Sequence, residues 1–212
     1  MSTKLVDTLL ETPIAPSFTR IGSVVRSRTA GWTELDDYDL TGRTIVITGA
    51  TSGLGLAAAH RLAGLGATLV VVGRNPGKTD AAVAALASPT GADHTARYAD
   101  MGDLDAVATL ADRIIAEHGE VDTVIHNAGA LLAERTENAA GIEVTVASQV
   151  LGPFLLTARL LPTLEANGPS RVLTMSSGGM YSAPLTVNRL QMSGPDSPNP
   201  YNGTEQYARA KR

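Results

Sequence analysis

The sequence predicts an α/β fold built on a doubly wound parallel sheet, and three observations carry that prediction. From Thr44 onward, short β-branched runs alternate with Ala- and Leu-rich stretches of helical length, the pattern of βαβ crossovers. The second of these runs, Thr68 to Val72, is continuously apolar, as expected of a strand covered by helices on both faces. A glycine-rich turn joins the first strand to the first helix.

Residues 1–40 read as an extension ahead of the domain at 41–212. The apolar stretch Leu5 to Leu10 is short, holds Asp7 and runs into Pro13 and Pro16 without a small-residue cleavage pattern, so it does not read as a signal peptide. Phe18, Ile21, Val24 and Val25 share one helical face with Arg20, Arg26 and Arg28 among them. That face suits a short helix at a domain edge, or a basic helix on a membrane surface or partner. The acids Asp36, Asp37 and Asp39 read as a solvated approach to the first strand.

The domain begins with a strand at Thr44 to Thr48 and a helix at Leu54 to Leu65 that Gly66 ends. After the strand at Thr68 to Val72 come a helix at Thr79 to Ala87 and a strand at His94 to Ala99. A helix at Leu104 to His118 leads to a strand at Val121 to His126. A long helix spans Ile142 to Leu164, and a fifth strand runs from Arg171 to Met175. Ser193 to Gly203, rich in Pro, Ser, Asn and Gly, reads as a loop.

Composition narrows the function. The 212 residues carry 17 basic against 21 acidic side chains, a formal charge of −4, so no global positive field favours nucleic acid as a partner. Cysteine is absent, which excludes disulfides and thiolate chemistry and makes the cytoplasm the default location. No run is read as a transmembrane segment. The four histidines are scattered singly, without metal-ligand spacing, and no metal site is expected.

In the turn Thr48-Gly49-Ala50-Thr51-Ser52-Gly53-Leu54-Gly55, a dinucleotide pyrophosphate would meet a helix N-terminus with its open N–H groups. Gly49 suits the tight turn, Gly53 a close approach to phosphate, and Gly55 close helix-to-strand packing. A mononucleotide P-loop would need Lys and Ser/Thr after its last glycine, where Leu56-Ala57 stand. The fold expected is therefore Rossmann-type. At the end of the second strand an acid would bind a ribose 2′-hydroxyl and a base a 2′-phosphate. The chain has Gly73-Arg74, which favours NADP(H) over NAD(H), an ordinary surface arginine being the competing reading. Tyr207 alone among the five tyrosines has a lysine four residues on, Lys211, so the two share one helical face. An adjacent ammonium stabilises a phenolate and equips Tyr207 for proton exchange near neutral pH. Ser177 has no Gly-x-Ser-x-Gly surround and no acid–His pair placed to activate it, which disfavours a serine hydrolase.

The spacing Thr-Gly-x-x-x-Gly-x-Gly, with Asn127-Ala128-Gly129 and Tyr-x-x-x-Lys following in order, resembles the short-chain dehydrogenase/reductase family over Leu40 to Arg212. The long interval from Ser177 to Tyr207 resembles its retinol-dehydrogenase-like branch, and the runs RVLTMSSGGM and YARAKR look most like the dehydrogenase/reductase member 12 type. The resemblance implies hydride transfer between a nicotinamide cofactor and a small-molecule carbonyl or alcohol. It implies Tyr207 as proton donor or acceptor, Lys211 on the cofactor ribose, and Ser177 orienting the reacting oxygen. Asn127, Ala128 and Gly129 would steady the sheet beside the cofactor. Asp100 is open to two readings, an adenine contact or a turn residue. The family's asparagine, three residues before a glycine on the fourth helix, has Gln149 in its place, so support of a proton relay falls to a longer amide. That departure keeps an alternative open: an NADP-binding scaffold or regulatory module without useful catalysis. A homo-oligomer of the full-length protein is compatible with either. The pattern stops one residue after Lys211, and the sequence reading expects a fold that is C-terminally incomplete, truncated within the catalytic helix and inactive as a 212-residue piece.

Overall fold

A computed structural model describes residues 19–166, 168–192 and 201–212. The stretch before Thr19, with its apolar run and Phe18, and most of the loop read over Ser193 to Gly203 lie outside the described residues. The chain divides between Asp39 and Leu40 into two compact units.

In the first unit, helix α1 (Arg20–Ala30) starts at Thr19, whose hydroxyl accepts from the Gly22 amide at 3.4 Å, and stops at Gly31 in a left-handed conformation. Ile21 is exposed, and Arg28 lies in the last turn, where a cation meets the carbonyl end of the helix dipole.

The second unit follows the expected alternation: β1 (Thr44–Thr48), α2 (Gly53–Gly64), β2 (Thr68–Gly73), α3 (Pro76–Ala84), β3 (Thr95–Tyr98), α4 (Leu104–Glu117), β4 (Thr123–His126), α5 (Val144–Ala166), β5 (Arg171–Thr174) and α6 (Gly203–Ala210). The strands form one parallel sheet in the order β3-β2-β1-β4-β5, with Ile45 paired to Leu69 on one side and Thr123 on the other. This is the doubly wound α/β fold predicted. Alternate residues of the central strands feed two cores. Val46, Val70, Val72 and Val124 pack against α4 and α5 through residues such as Ile114 and Leu160. Ile45, Ile47, Leu69 and Val71 pack under α2 against Ala59 and Ala63. Truncating a buried leucine or isoleucine in such a layer costs about 2–5 kcal/mol, so the two layers fix how the strand ends meet.

The structure departs from the sequence reading in the following respects. Helix α3 begins at Pro76 rather than Thr79, because Asn75 caps it through Lys78 N at 2.9 Å and Pro76 occupies the first turn, where its missing N–H costs nothing. Helix α5 contains a π-helical segment, Ala147–Leu151, that no periodicity announced. That same helix is long and apolar enough, by composition, to cross a membrane, which the sequence reading did not credit to any run. In the fold its Leu156, Leu160 and Leu164 are buried in the core, as in the central helix of a packed domain.

Candidate functional site

Parallel strands deliver their C-terminal ends to one edge of the sheet, and the strand order reverses between β1 and β4, which opens a crevice there. Thr48, Gly49 and Asn127 meet at this point. The Thr48 hydroxyl accepts from the backbone amides of Asn127 and Ala128, both at 3.1 Å. In return the Asn127 side chain donates to the carbonyls of Thr48 and Gly49 at 3.1 and 3.0 Å. These bonds tie the glycine turn to β4, while the Gly49 amide donates to Val72 of β2 at 2.8 Å.

The turn needs its glycines for two separate reasons. Gly49 has φ +70°, and a Cβ there would stand 2.6 Å from the Cα of Ala128. Gly55 has an ordinary φ, but a Cβ would meet the Asn127 amide nitrogen at 2.3 Å and the Gly49 carbonyl at 2.5 Å. Ser52 occupies the N-cap of α2 in extended conformation and makes no capping bond with its side chain, which leaves the first-turn amides of the helix for a ligand.

A cleft of about 410 Å³ follows the strand ends, within the usual range for small-molecule sites. Of the residues predicted to hold a cofactor, Gly49, Ser52, Leu54, Gly55, Arg74 and Asp100 line it, as do Asn127, Ala128 and Gly129. Thr48 is buried behind the turn, and Gly53 is exposed at its tip. Asp100 also accepts from the Gly102 amide at 2.8 Å, so it is a turn residue as well as a cleft residue. Thr51 and Ser148 line the cleft too. The sequence reading singled out neither, and only the position of Thr51 inside the turn signalled it.

The expected catalytic residues sit where α6 returns to β5. The Lys211 ammonium donates to the Met175 carbonyl at 2.8 Å and lies 5.7 Å from the centroid of the Tyr207 ring. Burial pushes its pKa down. A point one Cβ bond from Gly129 is 3.3 Å from the Lys211 ammonium nitrogen and 3.0 Å from the Gln149 carboxamide oxygen, so both reach the same wall of the site. Gln149 is buried on the π-helical segment, where its amide donates to the Ala130 carbonyl at 2.7 Å and its oxygen has no hydrogen-bond partner among the described residues. Ser177, which the sequence reading places at a strand end, follows the end of β5. It caps a 3₁₀ turn at Gly178–Ser182 by accepting from the Gly179 amide at 3.1 Å. Its neighbour Ser176 is the one that contacts the end of α6, donating to the Lys211 carbonyl at 2.7 Å. No local pattern signals that contact.

A glycine-lined crevice at the switch point of a parallel sheet, with open helix amides and no acid at the end of β2, defines a dinucleotide-binding fold. A family model described as short chain dehydrogenase matches residues 43–187. The chain is 31% identical to human dehydrogenase/reductase SDR family member 12 over 83% of its own length and 54% of that protein. It is 32% identical to bovine retinol dehydrogenase 12 over 84% of itself and 54% of that relative. Among solved structures, a metagenomic short-chain oxidoreductase crystallised with NADP superposes with a TM-score of 0.60 at 27% identity, over 81% of this chain and 71% of that one. The chain belongs to the short-chain dehydrogenase/reductase family, in its retinol-dehydrogenase-like branch. It spans about half the length of the curated relatives it matches.

Proposed function

We propose that the protein interconverts a small carbonyl compound and the corresponding alcohol, using NADP(H) in preference to NAD(H). The observation that carries this reading is the approach of Lys211 and Gln149 to Gly129, at the end of the nucleotide cleft, with Lys211 beside the Tyr207 ring.

The residues present fit a nicotinamide dinucleotide: a Cβ would fill the cradle at Gly49 and Gly55, and Ser52 leaves helix amides open for a pyrophosphate. Gly49, Ser52, Gly55 and Asn127 would hold that end, and Arg74 the 2′-phosphate. The bound cofactor would supply or accept the hydride. The chain's own part is the proton. Tyr207 donates it to the reacting oxygen during reduction and takes it back during oxidation, with the Lys211 ammonium held over its ring. Burial lowers the pKa of Lys211, and its ammonium is fixed beside Tyr207 by its bond to the Met175 carbonyl. Gln149, with a free acceptor on the same wall, is placed to receive hydrogen-bond donors from that ammonium or from a water.

The test is turnover of a carbonyl panel with NADPH by the full-length wild-type protein and by its Tyr207→Phe variant. Loss of about two to four decades in kcat with nucleotide binding retained is expected, the usual size of a general acid–base contribution. Equal turnover by both proteins removes Tyr207 from the mechanism. Tight NADP(H) binding with no turnover in the wild type favours a binding scaffold instead.

A further inference from the structure

The helix that carries Tyr207 is held from its far side by a buried carboxylate. Glu143 is 0% exposed and stands at the N-cap of α5, where it accepts from the amides of Thr145 and Val146 at 3.0 and 2.9 Å. A cap needs no more than that. Yet the same carboxylate also accepts from Gln206 Nε2 at 2.6 Å and from the Tyr201 hydroxyl at 3.2 Å. Gln206 precedes Tyr207 on α6, is itself 0% exposed, and donates a second hydrogen to the Leu190 carbonyl at 2.7 Å. The backbone amide of Glu143 donates to Gln191 Oε1 at 2.8 Å, so one residue gathers α5, α6, Tyr201 and the Leu190–Gln191 pair.

Burying a carboxylate is costly unless donors and favourable dipoles surround it, and here the N-terminus of α5 and four donors do so. Two of those donors belong to α6 or to the residues leading into it. Gln206 is the buried residue of α6 that bonds the Glu143 carboxylate, so that bond sets the rotation of the helix. Gln206 and Tyr207 are adjacent on that helix. A turn of α6 that broke the Gln206 bond would swing the Tyr207 hydroxyl with it.

We propose that Glu143 is a positioning residue, fixing the rotation of α6 and with it the direction of the Tyr207 hydroxyl. This rests on Tyr207 being the proton-transfer group proposed above. Two variants of the full chain test it: Glu143→Gln, which turns one acceptor into an N–H facing donors, and Gln206→Met, which spares the α5 cap. Each is measured for kcat with NADPH, for the dissociation constant of the nucleotide, and for amide hydrogen exchange. Misplacement of about 1 Å is worth on the order of 100-fold in rate, so a fall in kcat of about 10-fold or more is expected, with nucleotide affinity unchanged. Amides in α6 exchange faster in both variants, while those of α2 keep their protection. Unchanged exchange in α6 overturns the proposal, and so does a loss of nucleotide affinity that matches the loss of kcat. If the wild type turns over no carbonyl, the functional reading falls and exchange alone decides the role of Glu143. If Glu143→Gln does not fold, Gln206→Met decides by the same readouts.

Discussion

Arg74 and Gly73 make the sharpest contrast between neighbours in the cleft. Gly73 has no side chain, and a Cβ there would stand 2.4 Å from the Thr79 hydroxyl, so no carboxylate can occupy the place from which an acid would bind a ribose diol. Arg74, exposed at the cleft, offers a fork of donors to a 2′-phosphate. NADP(H) is therefore expected to bind more tightly than NAD(H), and Arg74→Ala to erase most of the gap, about 1.5–3 kcal/mol or one to two decades in dissociation constant. Titrating both nucleotides into both proteins measures it; equal affinities in the wild type would remove the preference. Arg74 was legible because it lies at a fixed offset from a strand. Tyr207 and Lys211 were legible because four residues apart on a helix is a local relation. Ser176 on the Lys211 carbonyl and Glu143 on Gln206 join residues 35 and 63 positions apart, and no local pattern encodes such a meeting.

At the scale of elements, the strands were legible because β-branched runs such as Thr44–Thr48 have few other uses. The start of α3 was available in the sequence as Asn75-Pro76, a cap followed by a first-turn proline, although the apolar pattern pointed further on. The π-helical segment was not, since an inserted residue in a helix leaves no mark on composition. The glycine turn permits a paired test of its two demands. Gly49→Ala meets both a positive φ and the Ala128 backbone at 2.6 Å, whereas Gly53→Ala, at φ +55°, has nothing within 4 Å. Left-handed backbone costs alanine roughly 1–2 kcal/mol, and overpacking adds typically about 1–3 more. Denaturant unfolding is expected to show Gly53→Ala mildly destabilised and Gly49→Ala lower still, with nucleotide binding lost. Equal losses in the two variants would show that the contact with Ala128 relaxes at no cost.

For the molecule as a whole, folding depends on burying the central strands on both faces, and that includes one ionisable group. His126 on β4 is 3% exposed; its Nε2 meets the Thr157 hydroxyl of α5 at 2.7 Å, and burial lowers its pKa to about 4. A histidine in the unfolded chain titrates near 6.5. Between these two values the unfolded state binds the proton and the folded state does not, so acid favours unfolding. Stability from this group is fully present above about pH 6.5 and declines as the pH falls towards 4. Below that the folded state is protonated as well and the loss levels off. The window of about 2.5 units corresponds to about 3 kcal/mol. His126→Gln removes the titration while keeping a side chain able to bond Thr157. Urea unfolding of the two proteins at pH 7 and pH 4.5 is the measurement. Carboxylates contribute equally to both and cancel in the comparison. The variant is expected to lose less stability over that interval than the wild type, by about 2–3 kcal/mol. Identical losses would mean that His126 reaches solvent or gains a proton within the fold, and that the layer joining β4 to α5 is looser than its packing implies.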